Sequence, residues 1–327
     1  MTLREIAELA GVSPSAVSRY LNGGSLSSAK YEAIDKVIKE TGYVPNQVAH
    51  NLRTGHVKQV GIVVPKIHSQ SVSQLVEGAH EVLSQAGYMT VLGSLGNEPS
   101  SVSQYLDWMQ SYHMAGAIVM AANDADVRNG TFARCEIPLV ITGQHFKDFS
   151  CVYHDDWGAA KDLTQLLLEA GRKKIVCISG PKTDPAIGTN RVEGVKAALW
   201  EAGITPALPT VVSSFDMESG KAAMHRLLKD HPDLDGVFCA TDSMGHGALL
   251  ALKEAGKRVP EDVSVVAFGN DWANEVSEPR LTTAELYQTQ CGRDAATLLL
   301  EAIEQEKEPG LSRQIMLGYK IVKRGSV

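Results

Sequence analysis

Apolar residues recur at helical spacing from the start of the chain. Leu3, Ile6, Ala7 and Ala10 make one face of a first helix. Thr2 and Glu5 have the spacing of a capping box at its start, and Gly11 ends it. Ser13 is placed to cap a second helix. Pro14 takes the first helical position, where a missing N–H costs least, and the helix runs to Leu21 before the turn residues Asn22, Gly23 and Gly24. A third helix over about 28–41 turns Tyr31, Ile34, Val37 and Ile38 inward. Two helices joined by a short glycine turn form a helix-turn-helix, whose second helix enters a major groove with its first side chains on the base edges. Pro14, Ser15 and Arg19 are the outward positions there. Arg19 can fork onto guanine or hold a phosphate. A plain three-helix core without a DNA role has the same periodicity.

The segment from Tyr43 to Gly55 is proline-started, glycine-ended and only a few turns long. An isolated helix of that length is marginal in water, so it orders only when something packs on it. Two copies meeting over a minor groove would supply that, with Leu52 wedged between base steps.

Beyond it the period changes. Short apolar, β-branched runs (59–65, 89–93, 116–120, 138–142) alternate with amphipathic stretches (71–86, 101–112). The alternation restarts with helices at 157–170, 191–202, 218–229 and 244–255 between strands at 174–178, 210–212, 236–240 and 263–267. The run 281–285 crosses back into a long helix at 288–304. Strand–helix alternation of this kind builds doubly wound parallel sheets, and two halves with the chain crossing between them enclose a cleft at the carboxyl ends of the strands. The expected fold is therefore an all-α helix-turn-helix head joined to an α/β sensor of two doubly wound parallel-sheet subdomains.

Composition narrows the classes. No run among the 327 residues is apolar enough to span a membrane, and the N-terminus lacks a signal-peptide pattern, so a cytoplasmic protein is expected. The five cysteines (Cys135, Cys151, Cys177, Cys239, Cys291) have no metal-ligand spacing and suit a reducing compartment. The net charge is −7, but Met1 to Val57 carries six basic and five acidic side chains, leaving −8 on the remainder. An acidic sensor repels DNA and leaves the head as the docking surface, with an affinity that falls with salt.

The run from Leu3 to Asn22, followed by Gly42-Tyr-Val-Pro-Asn46 and Ala49 to Arg53, resembles the LacI-type family of bacterial repressors. The resemblance covers essentially the whole chain and implies a periplasmic-binding-protein-like sensor. It further implies a homodimer on a pseudo-palindromic operator, with a small-molecule sugar or sugar phosphate as effector. On its motifs, Thr2, Pro14, Ser15, Ala16, Ser18, Arg19 and Asn22 in the head and Asn46, Ala49, His50, Leu52 and Arg53 in the hinge are the expected DNA-binding residues. Ala16 stands where threonine is usual, and His50 where arginine is common. The implied division is 1–42 for the head, 43–57 for the hinge helix and linker, and 58–327 for the sensor. Within the sensor, 58–155 with 287–313 and 156–286 with 314–327 form the two subdomains.

The resemblance also points to effector contacts. Arg191, in Gly188-Thr-Asn-Arg-Val-Glu-Gly194, matches an arginine that forks onto ligand hydroxyls, though a solvated first-turn arginine fits the position too. Asp242 with Thr241 follows a strand and can bind hydroxyls or cap a helix. Phe215 packs on the ligand face or in the core. In Phe268-Gly-Asn-Asp-Trp272 a glycine replaces the first of the usual acids, moving the polar contact to Asn270 or Asp271. This variant looks most like trehalose- or sucrose-operon repressors. Lys66 stands where trehalose-type relatives place an arginine for a sugar phosphate, and is otherwise an exposed lysine. Gln144 stands where a second arginine would help. Ser69 and Ser71 leave the cleft mouth polar and roomy. No enzyme is expected: a Gly-x-Ser-x-Gly elbow is absent, Gly180-Pro-Lys-Thr183 is no phosphate loop, and His145, His154 and His246 have no metal-ligand spacing. Asp155 and Asp156 point to opposite faces of an extended segment and read as a crossover contact and a helix cap. No cofactor is implied. The other open reading is a regulator answering to a co-repressor or a partner protein.

Overall fold

Alternate residues of one strand show how the sensor is layered. In β1 (Val57–Val64), Val60, Ile62 and Val64 pack with Leu75, Leu83, Leu298 and Leu299, while Val63 packs with Val102, Leu106 and Met109 on the other face. Both faces of the sheet are covered by helices, which is why such strands read as continuous apolar runs. The computed structural model describes residues 1–21, 23–43, 57–96, 101–120, 123–204, 208–304 and 311–327, in two units, Met1–Val57 and Lys58–Val327.

The first unit holds α1 (Leu3–Leu9), α2 (Pro14–Leu21) and α3 (Ser28–Thr41). The capping box is closed: the Glu5 amide donates to Thr2 Oγ1 at 3.3 Å and the Thr2 amide donates to Glu5 Oε2 at 2.7 Å. Ile6, Ala7, Ala16, Val17 and Ile34 form the buried core. Tyr31 does not join them. It is about half exposed and lies tilted on the Tyr20 ring, because α3 shows that face to solvent. Asn22 and the hinge expected at 43–57, with Asn46, Ala49, His50, Leu52 and Arg53, fall outside the described residues except at its two ends.

The second unit contains two six-stranded sheets. The first, in the order β11-β5-β4-β3-β1-β2, contains β1, β2 (Met89–Ser94), β3 (Met114–Val119), β4 (Leu139–Thr142), β5 (Cys151–His154) and β11 (Gln314–Leu317). Helices α4 (Gln70–Gln85), α5 (Ser101–Ser111) and the short α6 (Asp124–Arg128) belong to this half. The second sheet, in the order β12-β10-β9-β8-β6-β7, contains β6 (Ile175–Ser179), β7 (Thr210–Val212), β8 (Gly236–Cys239), β9 (Ser264–Phe268), β10 (Thr282–Leu286) and β12 (Tyr319–Val322). It carries α7 (Asp156–Glu169), α8 (Arg191–Glu201), α9 (Met217–Asp230) and α10 (Asp242–Glu254). The pairings β6–β7, β6–β8, β8–β9 and β9–β10 are parallel, and β10–β12 is antiparallel. The long α11 (Gln288–Glu304) returns the chain to the first sheet.

One expected boundary is corrected. Residues 314–317 do not belong with the second half, because β11 pairs in parallel with β5, Gln314 against Cys151 through Leu317 against His154. The chain changes sheet at Gly318.

Helices α4 and α11 approach through glycines. A Cβ on Gly78 would lie 2.0 Å from the Thr289 carbonyl oxygen, and one on Gly292 2.0 Å from that of Leu75. Gly78→Val should therefore force the helices apart and destabilise the sensor by about 1–3 kcal/mol. Gly318→Ala, with open space around its Cβ, should leave the urea midpoint near wild type. Equal midpoints for Gly78→Val and wild type would refute the close packing.

Candidate functional site

In the head, α2 presents a polar start on an apolar back. Ser13 Oγ accepts from the Ala16 amide at 3.3 Å and lies 2.8 Å from Ser15 Oγ. Pro14, Ser15 and Arg19 are exposed, and Ser15 and Arg19 lie one helical turn apart on the same side. Ser18 is half-buried. Ala16 is a correction: its side chain is 5% exposed and packs with Ile6 and Ile34, so it supports the helix from behind. Tyr20 Oη donates to Asp35 Oδ1 at 2.6 Å, and Asp35 also holds Lys39 at 2.8 Å, fastening α2 to α3. That carboxylate pushes the Tyr20 phenol well up and is itself held low by Lys39 and Tyr20.

In the sensor, the carboxyl ends of the strands bring residues of both sheets together. Arg191 opens α8 and is buried. Its Nε and Nη2 each lie 2.7 Å from Asp156 Oδ1, its Nη1 donates to the Ala240 carbonyl, and its guanidinium lies 4.1 Å from the centre of the Phe268 ring. The solvated alternative is thus corrected: low exposure and the salt bridge place this arginine in the protein. Of the adjacent carboxylates the expected roles are reversed: Asp155 caps α7 through the Gly158 amide, and Asp156 is the partner of Arg191.

Asp242 is 3% exposed. Its Oδ1 accepts from Thr283 Oγ1 at 2.6 Å, and its Oδ2 accepts from the Asp271 amide at 2.7 Å and Asn274 Nδ2 at 2.8 Å. Burial raises its pKa above the ordinary carboxylate value, and the three donors oppose that rise. The cap of α10 is Thr241, which accepts from the Met244 amide, so Asp242 is the first helical residue and not the cap. Asn270 is also corrected in part. It has positive φ (54°), and its side-chain oxygen accepts from Arg324 Nη2 at 2.7 Å, which turns that atom away from a ligand role. Asp271 Oδ1 accepts from the Ala273 amide as an N-cap.

The first sheet's loops reach across. Lys66 Nζ donates to the Phe215 carbonyl at 2.8 Å, and burial lowers its pKa against the opposing pull of Asp216. Gln144 is buried, donates through Nε2 to Asp184 Oδ1 at 2.6 Å and accepts from the Ala186 amide at 3.0 Å. Gln70 accepts from the Trp272 amide at 2.9 Å. Phe215 is half-buried against the second-sheet core and lies beside Gly180, where a Cβ would meet its ring at 2.8 Å. Ser69 is the N-cap position of α4 without a side-chain cap bond, and Ser71 follows half-buried in its first turn.

Several residues of this array were not singled out as effector contacts in the sequence: Asp156, Asp184, Gln70, Asn274 and Thr283. Asp184 precedes Pro185 and caps a π-helix, Pro185–Asn190, an element frequent at functional sites. The Asp-Pro pair was the available signal. Burial raises the Asp184 pKa, with the Ile187 amide and Gln144 opposing. Thr142 Oγ1, His154 Nε2 and Asn274 Oδ1 are buried without a partner among the described residues. Burial likewise lowers the His154 pKa. No group of acidic, histidine or cysteine side chains among the described residues could hold a metal ion.

Residues 164–327 match a periplasmic binding protein-like domain, and residues 2–46 match the lacI family of bacterial regulatory proteins. The HTH-type transcriptional regulator CelR of Thermobifida fusca is 35% identical over 319 residues, covering 93% of this chain and 92% of its own. The chain belongs to the LacI family. It is a DNA-binding transcriptional repressor of that family, and membership places it in the cytoplasm with its DNA. The sucrose operon repressor of Staphylococcus xylosus is 28% identical over 309 residues, covering 93% of this chain and 94% of its own. Among solved structures, a CelR–cellobiose complex superposes with a TM-score of 0.77 at 31% identity over the full length of both chains. A lac repressor dimer bound to operator and an anti-inducer superposes with a TM-score of 0.89 at 23% identity, covering 100% of this chain and 98% of that one, a likeness of fold. These LacI-family relatives are transcriptional regulators. No helix among the described residues is long and apolar enough to cross a membrane.

Proposed function

We propose that this LacI-family protein is a homodimeric repressor of carbohydrate-use genes whose grip on a pseudo-palindromic operator is set by a sugar or sugar phosphate held between the two sensor sheets. The observation that carries the reading is the polar array shared by the two strand ends. Arg191, Asp242 and Asp184 from one half stand with Lys66 and Gln144 from the other, joined by hydrogen bonds across the cleft. Carboxylates and a planar guanidinium suit the donors and acceptors of vicinal hydroxyls. The cellobiose in the CelR complex supports a disaccharide as ligand. The division into a head (1–42), a hinge (43–57) and a two-part sensor is part of the same reading. Thr2, Pro14, Ser15, Ser18 and Arg19, with Asn22, Asn46, Ala49, His50, Leu52 and Arg53, are the proposed DNA contacts. The effector contacts extend to Ser69, Ser71, Phe215, Thr241 and Asp271, and to Asn270 through its amide nitrogen. No catalysis is assigned to the cleft, in line with relatives that are transcriptional regulators.

The test is a linked titration. An operator is selected from random duplex DNA with the full-length protein, and its affinity is measured with and without cellobiose, sucrose and trehalose. The cognate sugar should change operator affinity by about 5- to 150-fold, and operator should change sugar affinity by the same factor. A factor of one in both directions would overturn the sugar-controlled reading and favour a partner protein. Tightening of the operator complex would mark the ligand as a co-repressor.

A further inference from the structure

The carboxylates of the cleft outnumber its free cations, and the imbalance bears on which sugars it admits. Arg191 is matched by Asp156 and also donates to the Ala240 carbonyl. Lys66 donates to the Phe215 carbonyl and has Asp216 as its charged neighbour. Asp184 and Asp242 form no salt bridge among the described residues, and the cation whose charge reaches Asp184 is Arg191, which Asp156 already matches. Where an arginine would have offered a second charge, Gln144 is neutral, and both ends of its amide are engaged by Asp184 and Ala186.

We infer that the cleft is built for a neutral, hydroxyl-only sugar and rejects its phosphate, with Asp184 as a specificity-determining residue. The inference rests on the sugar-controlled reading above and selects between its two ligand classes. Asp184 Oδ1 accepts from both Gln144 and the Ile187 amide, and Oδ2 accepts no hydrogen bond among the described residues. Asp242 Oδ1 has one bond, to Thr283, and so keeps a lone pair. Ionised carboxylates are acceptors only. A sugar hydroxyl offers them a proton, whereas a phosphate dianion offers only further acceptors and a like charge. The positive charge that would be needed to hold a phosphate is already matched or partly spent: the guanidinium faces Asp156, the ammonium gives one N–H to a carbonyl beside Asp216, and the Gln144 amide is neutral and donates to Asp184. Specificity here comes from an element that repels the wrong ligand as well as from contacts to the right one.

The experiment is calorimetric titration of the full-length protein with paired ligands: cellobiose, sucrose and trehalose, each against its own 6-phosphate. The neutral sugar that binds should do so at least roughly 100-fold more tightly than its phosphate, the discrimination expected of one like charge placed against an unpaired carboxylate. Asp184→Asn retains the Oδ1 acceptor for Gln144 and Ile187 but removes the charge, so it should fold and should narrow that gap by about 10-fold, mainly by tightening the phosphate. A thermal melt establishes that the variant is folded. A phosphate that binds as tightly as its neutral sugar, or a gap that Asp184→Asn leaves untouched, would overturn the inference while leaving sugar control intact. Binding of neither kind by any pair would overturn the sugar-controlled reading and the inference with it.

Discussion

Arg191→Ala is expected to destabilise the sensor by about 3–5 kcal/mol, the cost of removing one partner from a buried ion pair. The side chains of Arg191 and Asp156 are 6% and 5% exposed. Truncation strands the Asp156 carboxylate away from water, leaves the Ala240 carbonyl without its donor and removes the guanidinium from the Phe268 ring. Replacing Arg191 by lysine would not rescue it, because a single ammonium cannot reproduce the planar fork that reaches a carboxylate and a carbonyl together while lying on a ring. Urea unfolding followed by tryptophan fluorescence isolates the effect, since all four tryptophans lie beyond residue 57 and report the sensor alone. Asp156→Ala combined with Arg191→Ala should cost less than the two single changes added together. A single-variant loss under about 1 kcal/mol would show that the pair is not the fastening described.

That pair also shows what was legible in the chain and what was not. The helices over 28–41 and 288–304 follow from apolar residues three and four apart, and the buried strands from β-branched runs, because burial on one face or two leaves a local pattern. Arg191 was locatable by its motif, but its partner lies 35 residues away, and nothing local in Asp156 says that it is a partner and Asp155 a cap. The short strands at 151–154 and 319–322 gave no clear signal. The first ends on a histidine, and the second is a half-exposed edge whose partner is antiparallel. Ala16 was misplaced because a small residue fits either side of a helix; its burial is decided by α1 and α3. The position of Asn270 after β9 suggests a ligand contact, but Arg324, 54 residues later, takes its side-chain oxygen. Periodicity thus gives the layers, while contacts between residues far apart in the chain decide which polar atoms remain for a ligand.

Asp242→Asn tests such a contact by changing one atom. The carboxylate is an acceptor at every lone pair, and three donors converge on it from Thr283, Asn274 and the Asp271 amide. An asparagine can keep its oxygen toward Thr283 but then points an NH2 at the Asp271 N–H and at Asn274 Nδ2; in the opposite rotamer its oxygen serves those two donors and its NH2 donates to Thr283 Oγ1, whose own proton loses its acceptor. The second arrangement leaves only the Thr283 proton unsatisfied, at about 1–3 kcal/mol for such a group. The asparagine variant should therefore lose about 1–3 kcal/mol at neutral pH, less than Asp242→Ala, which strands all three donors. The pH dependence gives a second readout. Burial raises the folded-state pKa of Asp242 above its ordinary value of 3.8, so the native state holds this proton to higher pH than the unfolded chain does. Its contribution is most favourable below the ordinary value, falls as pH rises between that value and the raised one, and is level above it. Asp242→Asn does not titrate there, so the stability gap between wild type and variant should be widest at acid pH and narrow through that window to its neutral value. A gap that is constant from acid to neutral pH would mean that the three donors fully offset the effect of burial on this carboxylate. A neutral-pH loss near zero would mean that the Thr283, Asn274 and Asp271 donors find other acceptors, and Asp242 would then be free to serve the sugar alone.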